Sequence, residues 1–160
     1  MLLGRDKPTV PPKTWAKAVC TALTPWRTRV ADLTAAAQQE ITGTGTPAET
    51  KRTLTTLLAG AEEASERART RVADAGVPDV DQGAAVARQF ATALTSARDA
   101  YGHAKTAVGQ LPTVEAATFY DGVSAAFVTL NEEYGASELD ISAVGPEPLR
   151  RSFDEVPECQ

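Results

Sequence analysis

Over four long stretches of this chain the apolar residues return every three or four positions, a spacing that lines one face of an α-helix. In the first stretch Trp15, Val19, Leu23, Trp26, Val30, Leu33, Ala37 and Ile41 keep step. The second carries Leu54, Leu57, Leu58, Ala61, Ala68 and Val72, and the third Val86, Phe90, Leu94, Ala97, Tyr101, Ala104, Val108 and Leu111. Phe119, Val123, Ala126, Phe127, Leu130 and Tyr134 make the fourth. Each stripe needs cover, and short connectors let each helix cover the one before it. The spacing therefore predicts an all-α fold, an up-down-up-down four-helix bundle with helices over about 14–41, 47–75, 82–111 and 114–134.

The punctuation between the stripes agrees. "ITGTGTPAE" ends the first helix at Gly43 and Gly45 and starts the second, with Thr46 as cap, Pro47 at the first helical position and Glu49 closing a capping box. Gly76 stops the second helix. In "GVPDVDQG", Asp79 and Asp81 are candidate caps for the third, Pro112 and Thr113 separate it from the fourth, and Gly135 is placed to end that one. Pro25 lies inside the first stripe, where a proline removes a hydrogen bond and crowds the preceding turn at a cost of about 3 kcal/mol. Since the stripe continues in phase, a kink is expected there rather than a break. Within the second helix Glu63 and Arg67 form a favourable i,i+4 pair, whereas Glu62 and Glu66 repel.

After the fourth stripe, residues 136–160 lose the strong period and read as an irregular tail with one or two short helical turns, Leu149 and Phe153 docking on the bundle. The acids Glu132, Glu133, Glu138, Asp140, Glu147, Asp154, Glu155 and Glu158 outweigh Arg150 and Arg151, while the first helix offers Lys13, Lys17, Arg27 and Arg29. Opposite charge is expected to guide the tail along helix one, each exposed pair adding about 0–1 kcal/mol.

Composition narrows the partners. A length of 160 residues is one domain's worth, read as a helical domain over 13–160 behind a flexible tether over 1–12. The net charge of -5, with no run of Lys or Arg to follow a phosphate backbone, argues against nucleic acid. No stretch approaches the 18 or so apolar residues of a membrane span. "MLLGRDKPTV" lacks the apolar centre of a signal peptide. Two readings remain: a cytoplasmic chain, or one whose export signal preceded Met1. The charged, proline-rich "RDKPTVPPK" resembles the tether behind a processed or lipid-anchored terminus and favours the second.

The chain has two cysteines, one in each terminal segment. If helix one runs up and helix four down, the chain leaves helix four at the end of the bundle that holds Cys20, and a tail laid across that end brings Cys159 to it. A bridge over so long a loop is worth about 4–5 kcal/mol in the chain-entropy model. Alternatively Cys20 is a small buried apolar residue and Cys159 an exposed thiol. The even count and the terminal placement favour the bridge, and with it an oxidising compartment.

"WAKAVCTALTPW", with its aromatic, Val-Cys and a proline five residues on, is followed by Ala-rich amphipathic helices and a terminal Cys159-Gln160. Together they resemble the small secreted proteins and lipoproteins of actinobacteria. The likeness spans most of the chain as an architecture, its sharp motifs being the surroundings of Cys20 and the Cys-Gln end. It implies an extracytoplasmic helical protein stapled end to end, and no activity.

Catalytic and metal-binding patterns do not assemble. A bundle di-iron site needs Glu-x-x-His motifs, and the one histidine, His103, follows Ala100 at that spacing. "GTGTP" has no lysine to make it a phosphate loop, and "DVDQG" resembles the opening of a calcium loop without its later glutamate. As a general base His103 would need an orienting partner, for which Asp99 at i-4 is the local candidate. Neither tryptophan is followed by the Trp-x-Gly turn of helical-hairpin export substrates. Trp15, Trp26, Phe90 and Tyr101 either fill the core opposite alanines or wall a pocket opened at Pro25. The expectation is a non-enzymatic, extracytoplasmic protein, secreted or envelope-anchored through a lipid on its precursor, that needs no metal or cofactor and binds another protein or a small apolar ligand. The alternative is a cytoplasmic helical interaction module with two free thiols.

Overall fold

A computed structural model describes residues 8–41, 45–136 and 145–160 of the chain. Gly43, Glu138, Asp140 and the first seven residues of the expected tether lie outside the described residues. The fold is all-α. In chain order a short strand β1 (Thr9–Val10) leads into α1 (Pro12–Glu40) and α2 (Pro47–Asp74); β2 (Val77–Pro78) precedes α3 (Gly83–Gly109), α4 (Ala116–Ala136), α5 (Glu147–Glu155) and a 3-10 turn over Pro157–Cys159.

Local chemistry explains the helix ends. Pro12 opens α1, where a missing N–H costs nothing. The helix then runs unbroken through Pro25, which leaves the Thr21 carbonyl without its usual helical donor. At the start of α2 the Thr46 hydroxyl accepts from the Glu49 N–H at 3.2 Å and lies 3.1 Å from the Glu49 carboxylate. Gly76 ends α2 at a φ of 84°, which a side chain would resist. Neither Asp79 nor Asp81 caps α3. Its N-cap is Gln82, left-handed at φ 62° and with no side-chain cap bond. The chain enters so tightly there that a Cβ on Gly83 would meet the Pro78 carbonyl oxygen at 2.1 Å. At the far end α4 passes Gly135 by one residue.

Side-chain contacts register each long helix against the next in opposite directions, α1 to α2, α2 to α3 and α3 to α4. Trp26 donates to Ser65 at 2.9 Å and Thr53 to Glu40 at 3.1 Å, which registers α1 against α2. Between α2 and α3, Lys105 meets Glu62 at 2.5 Å and Arg98 meets Glu66 at 2.7 Å, so α3 supplies the cations that relieve the Glu62–Glu66 repulsion. Arg69 also binds Glu66, and the two guanidinium hydrogen bonds, that of Arg69 before that of Arg98, hold its carboxyl down to about 2. α4 lies along the C-terminal half of α3. Tyr134 packs edge-on to Tyr101 with ring centres 5.6 Å apart, and the Tyr120 and Thr50 hydroxyls stand 3.3 Å apart where α4 reaches the start of α2.

Two apolar clusters result among the described residues. The first gathers Trp15, Val19 and Cys20 of α1 with Val72, Val86, Phe90, Leu149 and Phe153. The second joins Leu54 and Leu58 of α2 to Ala104 and Val108 of α3 and Ala126 and Leu130 of α4. α4 packs on α3 and reaches the start of α2 beside the second cluster, while α5 packs on α1 and meets Phe90 of α3 beside the first. The tail is accordingly more regular than its sequence suggested, because Leu149 and Phe153, 0% and 3% exposed, find a deep apolar seat. Burial of each adds about 1.5–3 kcal/mol, enough to fix a helix too short to stand alone.

The tether expectation also changes from residue 8 onward. Thr9 and Val10 pair in parallel with Val77 and Pro78, and the Val77 N–H donates to the Pro8 carbonyl at 3.0 Å. Burial of the α2–α3 connector draws the incoming strand down beside it. Among the described residues no helix is long and apolar enough to cross a membrane.

Candidate functional site

The N-terminal turns of α1 hold the tail by a disulfide and by ion pairs, and the tail adds hydrogen bonds of its own. Cys20 and Cys159 form a disulfide across a sequence separation of 139, with Cα atoms 5.1 Å apart. Lys13 pairs with Glu155 at 2.9 Å, and Lys17 approaches Glu158 at 3.9 Å. Arg27 and Arg29, further along α1, form no ion pair with the tail among the described residues. Finally, Gln160 turns its amide back to donate to the carbonyls of Asp154 at 2.9 Å and of Phe153 and Val156 at 3.3 Å, covering the end of α5. Cys159 Sγ also touches the Ala16 carbonyl at 3.6 Å, a contact only, since a bridged sulfur carries no hydrogen.

The four aromatics singled out from the sequence divide. Trp15 is fully buried, edge-on to Phe90 at 5.2 Å and to Phe153 at 6.1 Å, and its indole N–H donates to the Gly76 carbonyl at 3.1 Å. One side chain therefore ties the start of α1 to the end of α2, to α3 and to the tail. Phe90 is equally buried, and Tyr101 sits in the second cluster, where burial first and Tyr134 second push its phenol above the usual range. None of these three lines a hollow described below, because the neighbouring alanines leave core volume that only large rings fill. Trp26 alone of the four does. Half-buried, with its N–H held by Ser65, it walls a hollow of about 260 Å³ with Ala22, Pro25, Arg29, Arg67 and Arg71. Ala22 and Arg71 also border a shallower hollow of about 460 Å³ toward Lys17, so the two form one groove along α1 and α2.

His103 is exposed and its orienting partner is not Asp99. Asp99 binds Arg98 at 3.0 Å, whereas His103 Nδ1 stands 2.9 Å from Glu133 Oε2 of α4. The other Glu133 oxygen is buried and has no hydrogen-bond partner among the described residues. The pair joins two helices, with its distant member invisible to a local reading of the sequence. Among the described residues no group of three His, Cys, Asp or Glu side chains is placed to hold a metal ion. The sequence named Arg29 as a cation for the tail, Arg67 as a partner of Glu63 and Ala68 as part of a stripe, but did not bring them together with Arg71, Ala22 and Ala64 around one groove. Arg67 and Arg71 were visible as an i,i+4 cationic pair, but only the packing of α1 on α2 adds Arg29.

Fold and geometry define an all-α helical bundle whose tail is bound covalently to its first helix. No family model, no curated protein and no solved structure matches the chain.

Proposed function

We propose that this is a non-enzymatic helical protein of an oxidising, extracytoplasmic compartment, secreted or held at the cell envelope through a lipid on its precursor, with a binding or structural role. The Cys20–Cys159 bridge carries the reading, because such a bond persists where thiols are oxidised and is rare where they are kept reduced. Supporting it, the residues nearest to catalytic chemistry serve structure: His103 and Glu133 tie α3 to α4, and Trp15 and Phe90 fill the core. The test is intact mass with thiol alkylation, before and after reduction, on protein isolated from the cells that make it. A mass lighter by two hydrogens, with alkylation only after reduction and recovery outside the cytoplasm, is expected. Two thiols that alkylate without reductant overturn the reading.

A second reading, a cytoplasmic interaction module, is favoured by one observation. Val114 and Val128 are 98% and 56% exposed at the α4 side of the bundle. The same experiment separates the two, since the module requires both thiols free.

A further inference from the structure

We infer that the groove between α1 and α2 binds an aliphatic carboxylate, its chain on the alanine floor and its head on the rim arginines. The inference gives a ligand class to the binding role proposed above and rests on that role. Ala22, Ala64 and Ala68 form the floor. Larger side chains there would close the helix pair's outer seam, whereas three methyl groups leave it open beside the ring of Trp26. The floor is apolar and elongated: from Ala18 to Arg29 along α1 is about 16 Å at the helical rise per residue. A chain suits that shape better than a compact ring.

The rim selects charge. Arg29, Arg67 and Arg71 line the deeper hollow, and no acidic side chain lines either hollow. Arg67 shares an exposed ion pair with Glu63, but the guanidinium groups of Arg29 and Arg71 have no hydrogen-bond or ion-pair partner among the described residues. In a chain of net charge -5, two unengaged guanidinium groups beside an apolar trough are a local reversal of sign. A planar guanidinium offers paired donors that match a carboxylate. An extended cationic track for nucleic acid would need many more such contacts. The third hollow between these helices, around Leu33 and Leu57, has both Glu40 and Arg52 at its edge and lacks this bias.

Trp26 supplies the readout, because it lines the groove while Trp15 is fully buried. The full, disulfide-intact chain is titrated with decanoate below its aggregation concentration and followed by calorimetry and tryptophan fluorescence, with 1-decanol and acetate as comparison ligands. Saturable decanoate binding is expected, with decanol and acetate each at least tenfold weaker. The variant R29Q/R71Q, altered only at exposed positions, is expected to keep the wild-type melting temperature and lose tenfold or more in decanoate affinity. Absence of saturable binding, equal affinity for decanol, or unchanged affinity in R29Q/R71Q overturns the inference. Failure here in protein whose disulfide is intact leaves the compartment reading standing. Free thiols in the mass experiment remove that reading whatever decanoate does.

Discussion

Glu66 shows how one side chain joins three turns of helix. It accepts from Arg69 on its own helix at 2.9 and 2.5 Å and from Arg98 of α3 at 2.7 Å. Its carboxyl is held down from the ordinary 4.5 to about 2, so its contribution to stability is complete above about pH 4.5 and drains away as pH falls toward 2. Glu66→Gln is therefore expected to lose stability at pH 7 and to show a shallower decline between pH 4.5 and 2 than the parent. Urea midpoints across that range decide it, and parallel acid limbs would show that the arginines do not favour the ionised form. Trp15 works through volume instead. Its ring was legible in the sequence as part of a stripe, but the bond to the Gly76 carbonyl was not, because the partner lies 61 residues away. Likewise His103 was legible as a lone titratable group, yet its neighbour Glu133 arrives on a different helix.

The long helices were legible because each carries enough turns for a period near 3.6 to stand out, and their observed limits fall within two residues of those expected. α5 was not. Its nine residues hold only two large apolar side chains, Leu149 and Phe153, and a helix of that length has no independent stability, so nothing local commits it. It exists because α1 and α3 leave a seat between them. β1 failed for the same reason, since two residues of strand are specified only by Val77 and Pro78 opposite them. The seat makes a test at this scale. Leu149→Ala empties a fully buried site and is expected to cost about 2–5 kcal/mol with the disulfide intact, read from urea unfolding. A loss under about 1 kcal/mol would mean that the bridge alone holds α5 in place. The groove between α1 and α2 was the least legible feature, because its rim and floor come from two helices whose stripes say only which faces meet.

Taken whole, the described residues gather into two apolar clusters, one near the disulfide and one at the far end under α4. The bridge closes the larger part of the chain into a loop that contains α2, α3, α4 and α5. In the chain-entropy model a separation of 139 residues is worth about 5 kcal/mol, mostly by restricting the unfolded chain. The variant C20S/C159S is thus expected to lose up to about 5 kcal/mol while keeping its helical circular dichroism at room temperature, since Leu149 and Phe153 still seat the tail. Collapse of the helical signal would instead show that folding requires the bond. The cysteine pairing was open to a sequence reading because each end of the chain holds one thiol, whereas the stacking of Phe153 in the tail on Phe90 of α3 was not. One consequence of the bridge concerns cleavage rather than folding. A protease that cuts once anywhere between Cys20 and Cys159 leaves two fragments on one covalent molecule, so a nicked copy keeps its mass but for one added water and separates only when the sulfurs are reduced.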